Sequence, residues 1–234
     1  MSKPYRLQGL SGKIIAIDGP AGSGKSTTAR LLAARLGYDY LDTGAMYRAV
    51  ALFALRHEVS TEDARALEAI AGKVLIDFRM IDDVNHVYLN GEDVTEAIRT
   101  PEVTEAVSPV SAHGGVRRAL VKRQRQMAEK GNVVAEGRDT TSVVFPDADL
   151  KVYLDASLEE RARRRMIELS RQGLGSSLEE QCKLLAARDK YDSGRSHSPL
   201  TKTRDAVLVD TSHLNIEEQV EKIVRLIKLQ LKII

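Results

Sequence analysis

Residues 13–27 read KIIAIDGPAGSGKST, and no other stretch limits the fold so tightly. Ile14, Ile15, Ala16 and Ile17 form the kind of apolar run that lies buried on both faces in a parallel sheet. Asp18 closes the run, and Gly19, Gly22 and Gly24 follow before Lys25 and Ser26. The spacing Gly19, four residues, Gly24, Lys25, Ser26 predicts a strand, a loop whose amides turn inward around an anion, and a helix. The partial positive charge at the helix start favours the same anion. In this arrangement Gly19, Pro20, Ala21, Gly22, Ser23, Gly24, Lys25, Ser26 and Thr27 cradle a nucleoside triphosphate. Lys25 reaches the outer phosphates and the Ser26 hydroxyl holds Mg²⁺. An ordinary glycine-rich turn is the competing reading; the flanking strand and helix argue against it.

The rest of the chain is expected to build on that unit. A helix is predicted over residues 26–36, with Leu31, Leu32 and Leu36 toward the core and Gly37 ending it. YDYL reads as a short strand, a helix follows from about Ala45, and residues 62–72 look helical. From Val74 the apolar residues alternate, and Asn90–Gly91 signals a tight hairpin. That predicts a small antiparallel insert over 74–99, with Pro101 marking the return to the main body. A basic helix near 116–130 precedes two apolar strands, VVAEG and LKVYLDA. Ser157 with Glu160, and Ser177 with Glu180, have capping-box spacing. AVLVD is the last strand, and a helix from about Ile216 follows it.

Strands alternating with helices imply an α/β fold: a mostly parallel sheet with helices on both faces. Ligands then lie beyond the strand C-termini. Asp18, Glu136, Asp155 and Asp210 all stand at such ends. Each either backs a bound Mg²⁺ or merely marks where its strand stops.

Composition narrows the function classes. An apolar share of 43% supplies a core and argues against disorder. Lys and Arg total 35 against 33 Asp and Glu, a balance that speaks against a bulk nucleic-acid binder. Cys182 is the single cysteine, so neither an internal disulfide nor a cysteine-based zinc cluster is expected. MSKPYRLQGLSG lacks the apolar centre of a secretory leader. No run approaches the roughly 18 apolar residues of a membrane span. The expectation is a cytoplasmic protein with neither a membrane nor a nucleic-acid partner.

A phosphate loop serves GTPases, motor ATPases and many kinases, so other residues must discriminate. The guanine-reading Asn-Lys-x-Asp and the Asp-x-x-Gly switch are both absent from the sequence. What remains is a set of arginines in loops and at helix ends: Arg48, Arg117, Arg138, Arg188 and Arg195. If a phosphate is the acceptor of a phosphoryl group, two anions must approach each other. Guanidinium forks match phosphate oxygens better than ammonium groups do. Arg118, Arg123 and Arg163 are read instead as ordinary surface charges. A rival in another class is an RNA-stimulated ATPase using VRRALVKRQRQ as a basic patch, and the lack of aromatic residues there counts against it.

IDGPAGSGKST, YLDTGAMYRAVAL, VAEGRD followed by VVFPDADLKVYLDAS, and RDKYDSGR before SPL occur in this order. Together they resemble the bacterial-type cytidylate kinases over nearly the whole chain. The resemblance implies a P-loop NTPase-type core over 1–73 and 100–234, with a mobile lid at about 157–202. The insert at 74–99 corresponds to the family's nucleoside-monophosphate-binding insertion. The implied reaction moves the γ-phosphate of ATP to CMP or dCMP in a Mg²⁺-dependent monomer. The nearest rival is a kinase for UMP or a small metabolite.

The resemblance also implies roles. Thr43 and Arg48 stand beside the acceptor nucleotide. Tyr47, four residues after Thr43, packs either against sugar or base or into the core. Arg138 and Arg195, with Arg48, surround the acceptor phosphate. Arg188 and Asp192 sit near the sugar, although their spacing of four also fits a simple surface ion pair. Ser108, Arg117 and Asp139 read the base: a carboxylate facing the 4-amino group and a guanidinium facing N3 and O2 accept cytosine and repel uracil. Arg117 as a helix surface charge and Ser108 as a turn residue before Pro109 are the plainer readings. Arg161 and Arg164, three apart on one helix face, are placed near the donor nucleotide. Lys25, Arg138 and Arg195 carry catalysis, and Ser26 is the metal ligand. After Arg138–Asp139 the family usually continues with an apolar residue, glycine and threonine. This chain has Thr140, Thr141 and Ser142. The lost glycine is expected to alter the local backbone.

Overall fold

The structure, a computed structural model, describes residues 10–82, 84–171 and 173–231. The N-terminal stretch read against a secretory leader lies outside these up to residue 9. The chain divides into two compact units, residues 1–40 with 130–234, and residues 41–129.

The first unit is built on a five-stranded sheet. Its strands are β1 (Ile14–Asp18), β2 (Asp39–Asp42), β6 (Val133–Gly137), β7 (Leu150–Asp155) and β8 (Val207–Asp210), in the order β2-β6-β1-β7-β8. The pairings β1–β6, β1–β7 and β7–β8 are parallel. Ile15, Ala16, Ile17 and Asp18 are all fully buried, so consecutive side chains on opposite faces are both covered. Helix α1 (Lys25–Leu36) and helix α8 (Ile216–Gln230) pack on this sheet through Leu32, Val220, Ile223 and Ile227 against Ile15, Val152 and Leu154. Gly37, in the left-handed region, ends α1 as expected. Asn215 and Glu218 form a capping box opening α8 that sequence reading passed over. Helices α6 (Leu158–Arg171) and α7 (Leu178–Gly194) pack on each other. Ser177 and Glu180 form the full expected capping box on α7, and Ser157 Oγ accepts from the Glu160 amide.

The second unit holds helices α2 (Thr43–Arg56), α3 (Ala64–Lys73), α4 (Pro101–Ala112) and α5 (Gly114–Met127). They close over Met46, Val50, Leu67, Val110 and Leu120. The alternating stretch forms the antiparallel sheet β3 (Ile76–Ile81), β4 (Val84–Leu89) and β5 (Glu92–Asp93). Asn90 and Gly91 both take positive φ, as a two-residue hairpin turn requires. Helix α4 was not foreseen. It starts on Pro101, where a missing N–H costs nothing, and it runs through Pro109. Ser108 therefore lies within a helix, not in a turn. Among the described residues no helix is long and apolar enough to cross a membrane.

Candidate active site

The loop after β1 has the shape its spacing predicts. A side chain at Gly19 would place Cβ 1.9 Å from the Leu154 carbonyl oxygen, so only glycine passes under β7 there. Gly24 is the N-cap of α1 with φ 94, and no side chain caps that helix. The first-turn amides thus remain directed at whatever anion the loop encloses. Lys25 is buried and donates Nζ to the Pro20 carbonyl at 2.9 Å. Burial, with help from Arg138 and Arg188, pushes its ammonium down to about 7, against the pull of Glu136 and Asp18. A lysine so depressed gains its proton firmly only when negative charge arrives.

The four strand-end acids turn out to differ. Ser26 Oγ donates to Glu136 at 2.6 Å, and the Tyr40 hydroxyl to the same oxygen at 3.3 Å. Asp18 is bound to Thr140 and Thr141. Asp155 accepts from the Ala156 amide and Asp210 from Ser212, which are local turn contacts. Glu136 alone of the four contacts the phosphate-loop hydroxyl in these bonds. Its strand position gave no hint of that, because the partner lies 110 residues away.

Three of the singled-out arginines meet at one carboxylate. Asp192, buried on α7, accepts from Arg138 Nε at 2.9 Å, and lies 4.0 Å from both Arg188 and Arg195. Burial pushes the Asp192 carboxyl up, but Arg138 and Arg188, then Arg195, outweigh it and hold it below the ordinary range. Arg195 also donates to the Ser198 carbonyl. Three guanidiniums thus stand within 4.0 Å of one buried carboxylate. The simple surface pair of Arg188 and Asp192 is excluded by the burial of Asp192 and the presence of the other two arginines.

Arg161 is buried, its Nε on the Ala156 carbonyl and its Nη1 shared between the Ala21 carbonyl and Asp189. It thereby ties α6 to the phosphate loop. Arg164 binds Glu160 and both oxygens of Thr211. Asp139 is buried at the head of a π-helical turn, Thr140–Val144. The expected disturbance from the missing glycine does not arise as strain: none of Arg138, Asp139, Thr140 and Thr141 has positive φ, so no glycine freedom is needed.

In the second unit, α2 opens with Asp42 capping the Ala45 amide, which places Thr43 at the helix start. Arg48 donates to the Thr104 hydroxyl at 3.0 Å and the Ile98 carbonyl at 3.3 Å. The Arg117 guanidinium lies 5.1 Å from the centre of the Tyr47 ring and donates to the Ser111 carbonyl. Both residues are buried, so Arg117 is not a solvated surface charge. Ser108 accepts from Ser111 Oγ through its carbonyl. Of the arginines read as ordinary surface charges, Arg163 pairs with Glu159 and Arg118 with Glu68 in exposed positions, whereas Arg123 is half-buried and donates to the Val74 carbonyl.

The family model described as cytidylate kinase matches residues 15–229. The chain belongs to the cytidylate kinase family. Its similarity to cytidylate kinases extends to that of Bacillus cereus, 48% identical over 213 residues, covering 91% of this chain and 95% of that protein. The cytidylate kinase of Bacillus thuringiensis gives the same identity and coverage. A crystal structure of an uncharacterized protein from Eubacterium ventriosum matches with a TM-score of 0.50 at 12% identity, over 92% of this chain and 98% of that one. That last likeness concerns the fold alone.

Proposed function

We propose that this chain transfers the γ-phosphate of ATP to CMP and dCMP, giving the diphosphates, as a cytoplasmic monomer. The observation that carries the reading is the gathering of Arg138, Arg188 and Arg195 around a single buried Asp192. Several guanidiniums held close together are what a second phosphate group needs beside a triphosphate. We assign the donor to the loop Gly19–Thr27, with Arg161 and Arg164 steadying the loop and the donor end. Thr43, Tyr47, Arg48, Ser108 and Arg117, with Asp139, are assigned to the acceptor, Asp139 and Arg117 reading the base. Arg138, Arg188, Asp192 and Arg195 are assigned to its phosphate and sugar. The sheet within 74–99 serves as the monophosphate-binding insert, and about 157–202 as the lid that excludes water.

Proton transfer needs no dedicated base, because the acceptor phosphate is already an anion. Lys25 takes up charge as ATP binds, and the arginines hold the acceptor oxygens in line with the γ-phosphate. The Ser26 hydroxyl, backed by Glu136, offers the oxygen donors that a hard divalent cation prefers. Mg²⁺ held there would neutralise charge on the donor phosphates. Glu136→Gln is expected to raise the Mg²⁺ concentration for half-maximal rate by about 10- to 100-fold, the usual cost of losing a carboxylate that orients a ligand. Titration of the rate with Mg²⁺ at saturating nucleotides checks this, and an unchanged midpoint would free Glu136 of the role.

Assays of ADP release with CMP, dCMP, UMP and AMP test the function. CMP or dCMP should be preferred; preference for UMP would overturn the base assignment, and ATP hydrolysis without acceptor turnover would overturn the reaction. Asp139→Ala is expected to reduce the CMP-to-UMP ratio of kcat/KM by about 10²-fold or more while KM for ATP stays nearly constant, since a wrong base leaves buried polar groups unpaired.

A further inference from the structure

Asp18 ends β1, one residue before the phosphate loop, and is fully buried. Its Oδ1 accepts from the Thr140 amide at 2.9 Å and the Thr140 hydroxyl at 2.6 Å. Its Oδ2 accepts from the Thr141 amide at 2.7 Å and the Thr141 hydroxyl at 2.6 Å. A carboxylate offers about four acceptor positions, and here a donor fills every one. These four bonds favour the ionised form; a protonated Asp18 would have to turn one threonine hydroxyl from donor to acceptor. The donors open the π-helical turn directly after Arg138 and Asp139. Both threonines are fully buried, so a donor lost there is not replaced from bulk solvent.

We propose that Asp18 and the Thr140–Thr141 hydroxyl pair form a positioning clamp that fixes the backbone carrying Arg138 and Asp139 against the start of the phosphate loop. The inference rests on the cytidylate kinase reading of those two residues. The clamp works only while Asp18 is charged. Burial pushes its carboxyl up, and the four hydrogen bonds pull it part of the way back. The charged and titratable groups that sense it are Lys25 on α1, Arg138 after β6 and Tyr153 on β7. Lys25 and Arg138 both favour its ionised form.

The test compares the full-length parent with Thr140→Val/Thr141→Val, which keeps shape and amides but removes both hydroxyls, and with Thr140→Ser/Thr141→Ser, which keeps the hydroxyls. CDP formation at saturating ATP, Mg²⁺ and CMP is measured by chromatography from pH 5 to 9. The valine pair is expected to lose roughly 10- to 100-fold in kcat. Its low-pH limb should move upward by about one pH unit or more, because a carboxylate with fewer donors is easier to protonate. The serine pair should restore both. Substrate ionisation is common to all three proteins and cancels. A valine profile lowered in height but unmoved along the pH axis, or a serine pair resembling the valine pair, would overturn the clamp.

If the double variant does not fold, Thr141→Val alone is read the same way, with about half the displacement. Thermal melts give a second readout. With its pKa raised in the folded state, Asp18 costs stability above that pKa. The melting gap between valine variant and parent should therefore narrow as the pH falls toward 5. A gap independent of pH would mean that the hydroxyls only pack. A parent that makes no CDP would overturn the proposed activity instead, and the melts would still decide the clamp.

Discussion

Lys25→Met is expected to reduce kcat by about 10²–10³-fold, the cost of removing one fixed donor from developing transition-state charge, while the melting temperature stays level or rises. The second half of that expectation follows from the environment of Lys25. Burial and the guanidiniums of Arg138 and Arg188 depress its ammonium from 10.5 to about 7. Between those values the unfolded chain holds a proton that the folded chain lacks, so folding becomes more favourable as pH rises from 7 to 10.5. Below 7 the native state carries a charge it disfavours. Methionine fills the same volume with no charge and removes that burden. The structural cost is one hydrogen bond to the Pro20 carbonyl. Steady-state assays and melts at pH 6.5 check the pair of outcomes. A rate within a few-fold of the parent would show that the loop lysine is not catalytic. A large fall in melting temperature would show that the buried ammonium is not held at a disadvantage.

Local chemistry was legible wherever a residue's partners lie within a few positions. The phosphate loop, the Gly37 helix end, the Ser177–Glu180 capping box and the Asn90–Gly91 turn all follow from short-range rules, and each occurs where its residues predict. The order of strands and helices gave the parallel sheet for the same reason. Helix α4 was missed because Pro109 reads as a breaker. The helix continues across it among Val103, Val107 and Val110, which are buried. Packing outweighs the missing backbone hydrogen bond there.

The site shows where such reading runs out. Spacing by four revealed Arg188 and Asp192 as a possible pair, yet the Asp192 carboxylate makes its shortest arginine contact with Arg138, 54 residues away in sequence. Glu136 and Asp18 looked equivalent as acids at strand ends. Only the fold separates them, one to the Ser26 hydroxyl and the other to Thr140 and Thr141. The two buried carboxylates Asp18 and Asp192 also shift in opposite directions, because one is surrounded by neutral donors and the other by guanidiniums. Residue type fixes neither sign; long-range placement does.

That opposition makes Arg138→Met the other large and diagnostic change. Arg138 supplies the sole contact under 3 Å among the three arginine–Asp192 contacts. Losing it removes a cation proposed for the acceptor phosphate, and kcat/KM for CMP is expected to fall by about 10²–10³-fold. Stability should fall as well, by less than the roughly 3–5 kcal/mol seen when a buried carboxylate loses its sole partner, since Arg188 and Arg195 remain. The pH dependence carries the physical signature. Asp192 has its folded pKa below the unfolded value, so its ion pairing stabilises the fold above about pH 4 and is lost as pH falls through the depressed value. The stability gap between parent and Arg138→Met should thus be widest near neutrality and close under acid, whereas a fault arising in packing would leave the gap independent of pH. Urea unfolding at pH 7 and pH 3, beside CMP kinetics at pH 7, separates the cases. If kcat/KM stays within three-fold of the parent, the arginine group around Asp192 is not where the acceptor phosphate is held, and the gathering of guanidiniums there has another purpose.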